Sequence, residues 1–242
     1  MSQIQSWMGR TRLLLGDEKL EKLIDAHVLV VGLGGVGGIC AEMIARAGVK
    51  RMTIVDADVV EETNRNRQII TLISNDGQKK AEVMAQRLRD INPEIELTVL
   101  PEYVKNERTD EILDSAKFDY AVDCIDTLSP KVFFIKACLD RKIPIVSSMG
   151  AGGKVDPTQV TIGDISETHT CNLAFYVRKR LHKMGIRKGV KVVWSPEKAD
   201  KSKIVVVDGG PKKSVIGTIS YIPATFGIQA ASVVIRDLYN RK

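Results

Sequence analysis

Residues 27–47 read HVLVVGLGGVGGICAEMIARA, and the interpretation of the whole chain turns on them. Residues 28–31 are an unbroken run of Val and Leu, the pattern of a strand buried on both faces. Gly32, Gly34 and Gly37 follow at once in GxGxxG spacing, and Ile39, Met43 and Ile44, set among small residues, read as a helix. Glycine permits a tight turn and a close approach of the backbone, and the new helix N-terminus points unpaired N–H groups at an anion. A second strand, MTIVD, brings Asp56 to the place about 20 residues past the glycines where an acid can reach a ribose hydroxyl. Strand, glycine turn, helix, strand and acid in this order predict nucleotide binding, against the plain alternative of a glycine turn with no ligand. The motif alone does not choose between NAD, FAD and ATP.

On the N-terminal side, Arg10 and Arg12 precede a short helix at 18–25 for which Asp17 is a suitable cap. On the C-terminal side the second strand, 52–55, ends in Asp56-Ala-Asp58 and leads into the loop VVEETNRNRQII. The spacing then predicts a helix over 78–91 stopped by Asn92-Pro93, a strand over 95–100, a short helix over 110–115, a strand over 118–125 finishing in DCID, a helix over 129–141 and a strand over 143–148. Such alternation implies a parallel sheet with helices on both faces. After Ser148 the rhythm changes to a glycine-rich segment, a short strand at 159–162, a basic helix at 172–184, strands at 190–194 and 204–207, a loop at Asp208-Gly209-Gly210-Pro211 and an apolar final helix at 223–238. The expected fold is α/β, a Rossmann-like nucleotide-binding sheet whose parallel core is extended by antiparallel strands. One domain, 1–242, divides into an N-terminal helical arm (1–26), a nucleotide-binding half (27–148) and a sheet extension with the C-terminal helix (149–242).

Composition limits the function classes. A chain of 242 residues with 44% hydrophobic and 27% charged residues suits one soluble globular domain. The balance of 36 Lys and Arg against 30 Asp and Glu, net +6, allows a polyanionic partner without demanding one. The four cysteines, at 40, 124, 138 and 171, form no CxxC pair, which argues against a zinc knuckle or a disulfide framework. Cys40 and Cys138 fall in apolar helices. Cys171 lacks an evident base, and an inert thiol is its ordinary reading. The three histidines have no metal-ligand spacing. No signal peptide is recognisable, and the longest apolar stretch, 221–235, is broken by Pro223 and contains Gln229, short of a transmembrane span. A reducing cytoplasm is the expected compartment.

Transfer of a phosphoryl or adenylyl group needs positive charge where negative charge develops. Arg67 and Lys80 lie downstream of the ribose acid and can converge on phosphates, and Asn64 and Gln68 can add hydrogen bonds, although each taken singly is more often a surface residue. Asp126 stands just past the carboxyl end of a central strand, the edge where open α/β sheets bind ligands. A carboxylate there is suited to hold Mg2+ against phosphates. Asp123, three residues earlier, is expected to be buried and bonded to backbone amides. The cluster of Arg178, Lys179, Arg180, His182, Lys183, Arg187, Lys188 and Lys191 is either a solvated helix face or a track for RNA phosphates.

Taken together, GLGGVG, VDADVVEETNRNRQ, GQKKAE and DCIDT, in this order, resemble the ATP-dependent adenylating superfamily, which includes the activating enzymes of ubiquitin-like proteins and the bacterial sulfur-carrier adenylating enzymes. Two later segments, MGAGGKVDPTQV and GTISYIPATFGIQAA, look like one branch, the tRNA threonylcarbamoyladenosine dehydratases. The resemblance runs from about Trp7 to the end. It implies ATP and Mg2+ as cofactors. Gly32, Gly34, Gly35 and Gly37 would cradle the phosphates and Asp56, with Asp58, the ribose side. Asn64, Arg67, Gln68 and Lys80 would bind the triphosphate, and Asp126 would engage the metal and the reacting phosphate. Arg12, in TRLLLG, matches the arginine that the sulfur-carrier adenylating relatives reach across a dimer. The resemblance further implies tRNA and a second copy of the chain as partners, admits a cysteine desulfurase or other sulfur-relay partner, and gives no reason to expect DNA. The alternative substrate is the C-terminus of a ubiquitin-like sulfur carrier, although the paired CxxC zinc ligands of those enzymes are missing. A nucleotide-sensing module without catalysis is a third reading, opposed by Arg67, Lys80 and Asp126.

Overall fold

In the computed structural model, which describes residues 4–200, 202, 204–206 and 214–241, strand β1 (His27–Val31) lies in the interior of a seven-stranded sheet. It pairs in parallel with β2 (Arg51–Val55) and β4 (Tyr120–Asp123), which in turn pair with β3 (Glu96–Leu100) and β5 (Ile145–Ser148). The sheet is completed by β6 (Thr161–Asp164) and β7 (Lys191–Trp194), in the order β3-β2-β1-β4-β5-β7-β6. Alternate side chains of β1 point to opposite faces. Val28 and Val30 join one buried cluster with residues of α3 (Gly37–Arg46), α4 (Lys80–Ile91) and α8 (Tyr221–Tyr239). Leu29 and Val31 join the other, with residues of α5 (Glu107–Asp114), α6 (Leu128–Asp140) and α7 (Asn172–Lys183). The helices therefore cover both faces, which is why the central strands carry apolar residues at consecutive positions rather than alternate ones.

Successive connections run outward in opposite directions from β1 and β4, so the strand order reverses between these neighbours. That reversal is the crevice where doubly wound sheets bind ligands, at the carboxyl ends of the strands.

Several expectations change in detail. The extension beyond β5 begins with a parallel strand: β7 runs parallel to β5, and only β6 is antiparallel in the large sheet. Strands β8 (Ile204–Val206) and β9 (Ser214–Ile216) form a separate antiparallel pair instead of lengthening the sheet. The loop expected at 208–211 lies outside the described residues, as does position 207 of the expected strand. The strand expected at 159–162 begins two residues later, because Pro157–Gln159 form a single 3-10 turn held by the Asp156 carboxylate. Asp17 does not cap the second helix, α2 (Asp17–Ile24). It is the first residue of that helix, Gly16 occupies the cap, and the Asp17 carboxylate instead takes a bidentate bond from Arg12 on α1 (Gly9–Leu15). A guanidinium fork satisfies both carboxylate oxygens, and so competes well with one backbone amide. Among the described residues no helix is long and apolar enough to cross a membrane.

Candidate active site

The glycine turn between β1 and α3 is shaped by what touches it. Gly32 has φ +88°, a backbone conformation L side chains rarely adopt, and a Cβ there would lie 2.7 Å from the Cys124 carbonyl oxygen. At Gly37 a Cβ would lie 1.7 Å from the Gly32 oxygen, so the helix can start this close to the strand only without a side chain. Gly35 is pressed by Arg67 and by Pro223 of α8, whereas a Cβ on Gly34 would meet nothing closer than the Gln68 side-chain amide at 3.7 Å. Helix α3 has no side-chain N-cap, which leaves its first turn open to an anion.

The polar residues singled out in the sequence gather around this turn. Asp56, at the end of β2, accepts the Leu33 amide at 2.6 Å and the Asp58 amide at 2.8 Å. Burial pushes its carboxyl above the ordinary carboxylate range, against the lowering effect of the Leu33 bond and of nearby Lys80. The buried Lys80, first residue of α4, reaches Asp58 with Nζ at 2.9 Å. Arg67 donates to the Thr63 carbonyl at 2.9 Å and to Asn66 at 2.7 Å. Asn64 and Gln68 are buried, and the side-chain oxygen of each lacks a hydrogen-bond partner. Buried acceptors without donors are costly. Beside an open helix N-terminus, they are groups that a polar ligand would complete. Asp126 is exposed past the end of β4, two residues from the Cys124 carbonyl that lies against Gly32. Among the described residues no group of three or more His, Cys, Asp and Glu side chains could enclose a metal. The donor set near the turn therefore fits a nucleotide, and it fits Mg2+ only as an ion shared with phosphate oxygens and water, the usual mode for this hard cation.

Arg12 stands apart. It is half-exposed on α1, and its guanidinium is held by Asp17 at 2.6 Å. Next to it, Leu13 and Leu14 are 88% and 82% exposed.

Sequence reading did not single out Lys131. Its side chain and that of Asp123 are both 0% exposed and form an ion pair at 2.7 Å. Lys131 also donates to Ser147 Oγ at 3.2 Å and the Ser148 carbonyl at 2.9 Å. Asp123 accepts the Ile125 amide at 3.0 Å, as expected for a buried acid at this position. One cation thus ties the turn leading to Asp126 to the end of β5, where the glycine-rich segment begins. The only sequence cue was a lysine four residues into a helix, which pattern reading assigns to solvent.

The segment MGAGGKVDPTQV, after β5, folds onto the same edge. Gly153 donates to the Gly217 carbonyl at 2.8 Å, and Lys154 Nζ bonds the Glu197 carbonyl at 2.9 Å. The Glu197 carboxylate receives the amides of Val155 and Asp156. Tyr221 bonds the Val155 carbonyl at 2.9 Å, and Asn66 of the NRNRQ loop bonds the Thr218 carbonyl at 3.0 Å. Cys171 is buried, its Sγ 3.5 Å from where a Cβ of Gly150 would lie. Burial pushes the Cys124 thiol up to about 12, so it stays neutral.

The ThiF family matches residues 8–242. The tRNA threonylcarbamoyladenosine dehydratase of Bacillus subtilis is 40% identical, over 95% of this chain and 93% of that protein. The Escherichia coli protein of the same name is 38% identical over 95% and 92%. A crystal structure of the Escherichia coli dehydratase in complex with ATP superposes with a TM-score of 0.87 at 37% identity, covering 96% of this chain and 93% of that one. The sulfur carrier protein ThiS adenylyltransferase of Escherichia coli is 34% identical over only 60% of this chain. The strand order, the glycine turn and the residues around it thus belong to a chain that is a member of the ThiF family.

Proposed function

We propose that this protein is an ATP-dependent tRNA threonylcarbamoyladenosine dehydratase, a single adenylating domain that works in the cytoplasm as a homodimer. The observation that carries the reading is the meeting of two sets of segments at one sheet edge. The NRNRQ loop, shared with adenylating enzymes, bonds the GTISY segment through Asn66 and Thr218, and GTISY in turn holds the MGAGG segment through Gly217 and Gly153. Both of the latter resemble the dehydratase branch, and the dehydratases above match nearly the whole chain.

In this mechanism a carboxylate oxygen of the threonyl group attacks the α-phosphorus of ATP, and the bond to pyrophosphate breaks. A nucleophilic atom of the same modification then attacks the activated carbonyl, closing a ring, and AMP leaves with the carboxylate oxygen. The elements of water are lost without a protein nucleophile, since the attacking atom is already tethered. Gly32, Gly34, Gly35 and Gly37 admit the phosphates, Asp56 and Asp58 face the ribose side, and Asn64, Arg67, Gln68 and Lys80 bind the triphosphate. Lys80 exchanges its bond to Asp58 for phosphate oxygens when the nucleotide enters. Asp126 orients the reacting phosphate, where Mg2+ would supply charge neutralisation. Arg12 acts from the partner copy, and the exposed Leu13 and Leu14 beside it give that copy an apolar surface to cover.

Purified protein, incubated with ATP, Mg2+ and tRNA carrying threonylcarbamoyladenosine, should yield the cyclic nucleoside, read by mass spectrometry of digested tRNA. Asp126→Asn should fold normally and release pyrophosphate about 100-fold more slowly. Activation of a sulfur-carrier C-terminus with no change in tRNA would replace this reading with the alternative. A cysteine desulfurase is admitted as a partner by kinship alone.

A further inference from the structure

Helix α7 begins beside the glycine-rich segment: a Cβ on Gly150 would lie 3.5 Å from Cys171 Sγ and 3.7 Å from Leu173 Cβ. One turn on, Phe175 and Tyr176 are 49% and 52% exposed, with ring centroids 5.2 Å apart and planes at 77°. Ala174, Val177 and Leu181 are the residues that bury the helix against the protein. The two aromatic rings therefore share the outer side of the helix with Lys179, Arg180 and Lys183, and Arg187 and Lys188 follow it. Among the described residues no carboxylate pairs with Lys179, Lys183, Arg187 or Lys188, whereas Arg178 is turned to the Thr168 carbonyl and Arg180 to Ser129 at 2.6 Å.

We propose that Phe175 and Tyr176 are a stacking platform for unpaired RNA bases next to the nucleotide being modified, with the cations of α7 following the adjoining phosphates. This deepens the tRNA reading above and rests on it. Half-exposed aromatic rings outside any core lose little by waiting in water and gain by covering a base face, and every base offers one. The unpaired cations select a polyanion over an apolar protein surface. Position agrees: the rings stand about one helical turn along α7 from its contact with the glycine-rich segment.

The test compares two RNAs of equal length, a hairpin with an unpaired loop of about seven nucleotides and a continuous duplex. Binding is measured over a range of salt. Phe175→Leu with Tyr176→Leu keeps the apolar bulk and should weaken hairpin binding by about five- to hundredfold. Duplex binding and the salt slope should be unchanged, and Phe175→Trp with Tyr176→Trp should retain hairpin affinity. Lys179→Glu with Lys183→Glu should instead weaken both RNAs and flatten the slope by about one for each phosphate no longer neutralised. Equal losses on the two RNAs, or full hairpin affinity in the leucine variant, overturn the platform. A protein that binds neither RNA before substitution overturns the tRNA reading as well.

Discussion

Lys131 and Asp123 show how much one buried pair can organise. Two charges removed from water must be closely matched, and here the lysine has three acceptors and the carboxylate receives Lys131, Ser147 and the Ile125 amide. Removing one partner leaves the other buried and uncompensated. Lys131→Met is expected to lower the unfolding free energy by about 3–5 kcal/mol, while adding Asp123→Asn should restore most of the loss. Urea unfolding of the single and double variants checks this, and a single variant as stable as the parent refutes it. The same residues illustrate the limit of pattern reading. The burial of Asp123 was legible from its place in a strand. Lys131 was not, because no local period reveals that the first turn of α6 dips toward β5.

Helices α3 and α8 are distant in sequence and tightly joined in space. A Cβ on Gly227 of α8 would lie 2.4 Å from the Val36 carbonyl oxygen, a backbone atom that cannot turn aside. Gly227→Ala must therefore push α8 away from the start of α3, and overpacking of this kind costs about 1–3 kcal/mol. The displaced segment is the glycine turn, so ATP affinity should fall together with the melting temperature. Gly9→Ala is the control, since nothing lies within 4 Å of a Cβ there, and it should leave both unchanged. Calorimetric titration with ATP and thermal unfolding distinguish the two variants. An unaltered Gly227→Ala protein would show that the close approach is not a constraint. Helix α8 was expected from its apolar content, and its two extra N-terminal residues follow from Pro223 being acceptable in a first turn. The parallel direction of β7 was hidden, because four strand residues carry no mark of direction.

In the assembled molecule, Arg12 is joined to its own Asp17 and not to the glycine turn. If the proposed dimer carries it into the neighbouring site, two inactive variants, Arg12→Ala and Asp126→Ala, should complement each other on mixing. Mixed dimers have one site with both groups intact, so up to about a quarter of parental turnover should return at equal mixing, half of the dimers being mixed and one of their two sites complete. Pyrophosphate release follows the recovery. Mixed dimers that stay as inactive as either variant alone would place Arg12 outside the mechanism or within its own chain. Dimer formation should also cover Leu13 and Leu14, which hydrogen exchange and cross-linking can report.

Local chemistry was enough to read the first half of the sheet. A glycine turn, an apolar strand and a following acid constrain the backbone within some thirty residues, about the length of one βαβ unit, and the residues themselves carry the superfamily resemblance. Fold class and family followed from that stretch and from the motifs after it. Tertiary packing was needed wherever an interaction joins segments far apart in the chain. It put Pro223 on Gly35, turned Lys80 onto Asp58, closed the MGAGG segment over Gly217, and made β7 parallel to β5. It also left the Asn64 and Gln68 oxygens buried without donors. Those outcomes depend on which surfaces become neighbours once the sheet is built, and hydrophobic period, the main signal in a single sequence, records only that a face is buried and not what buries it.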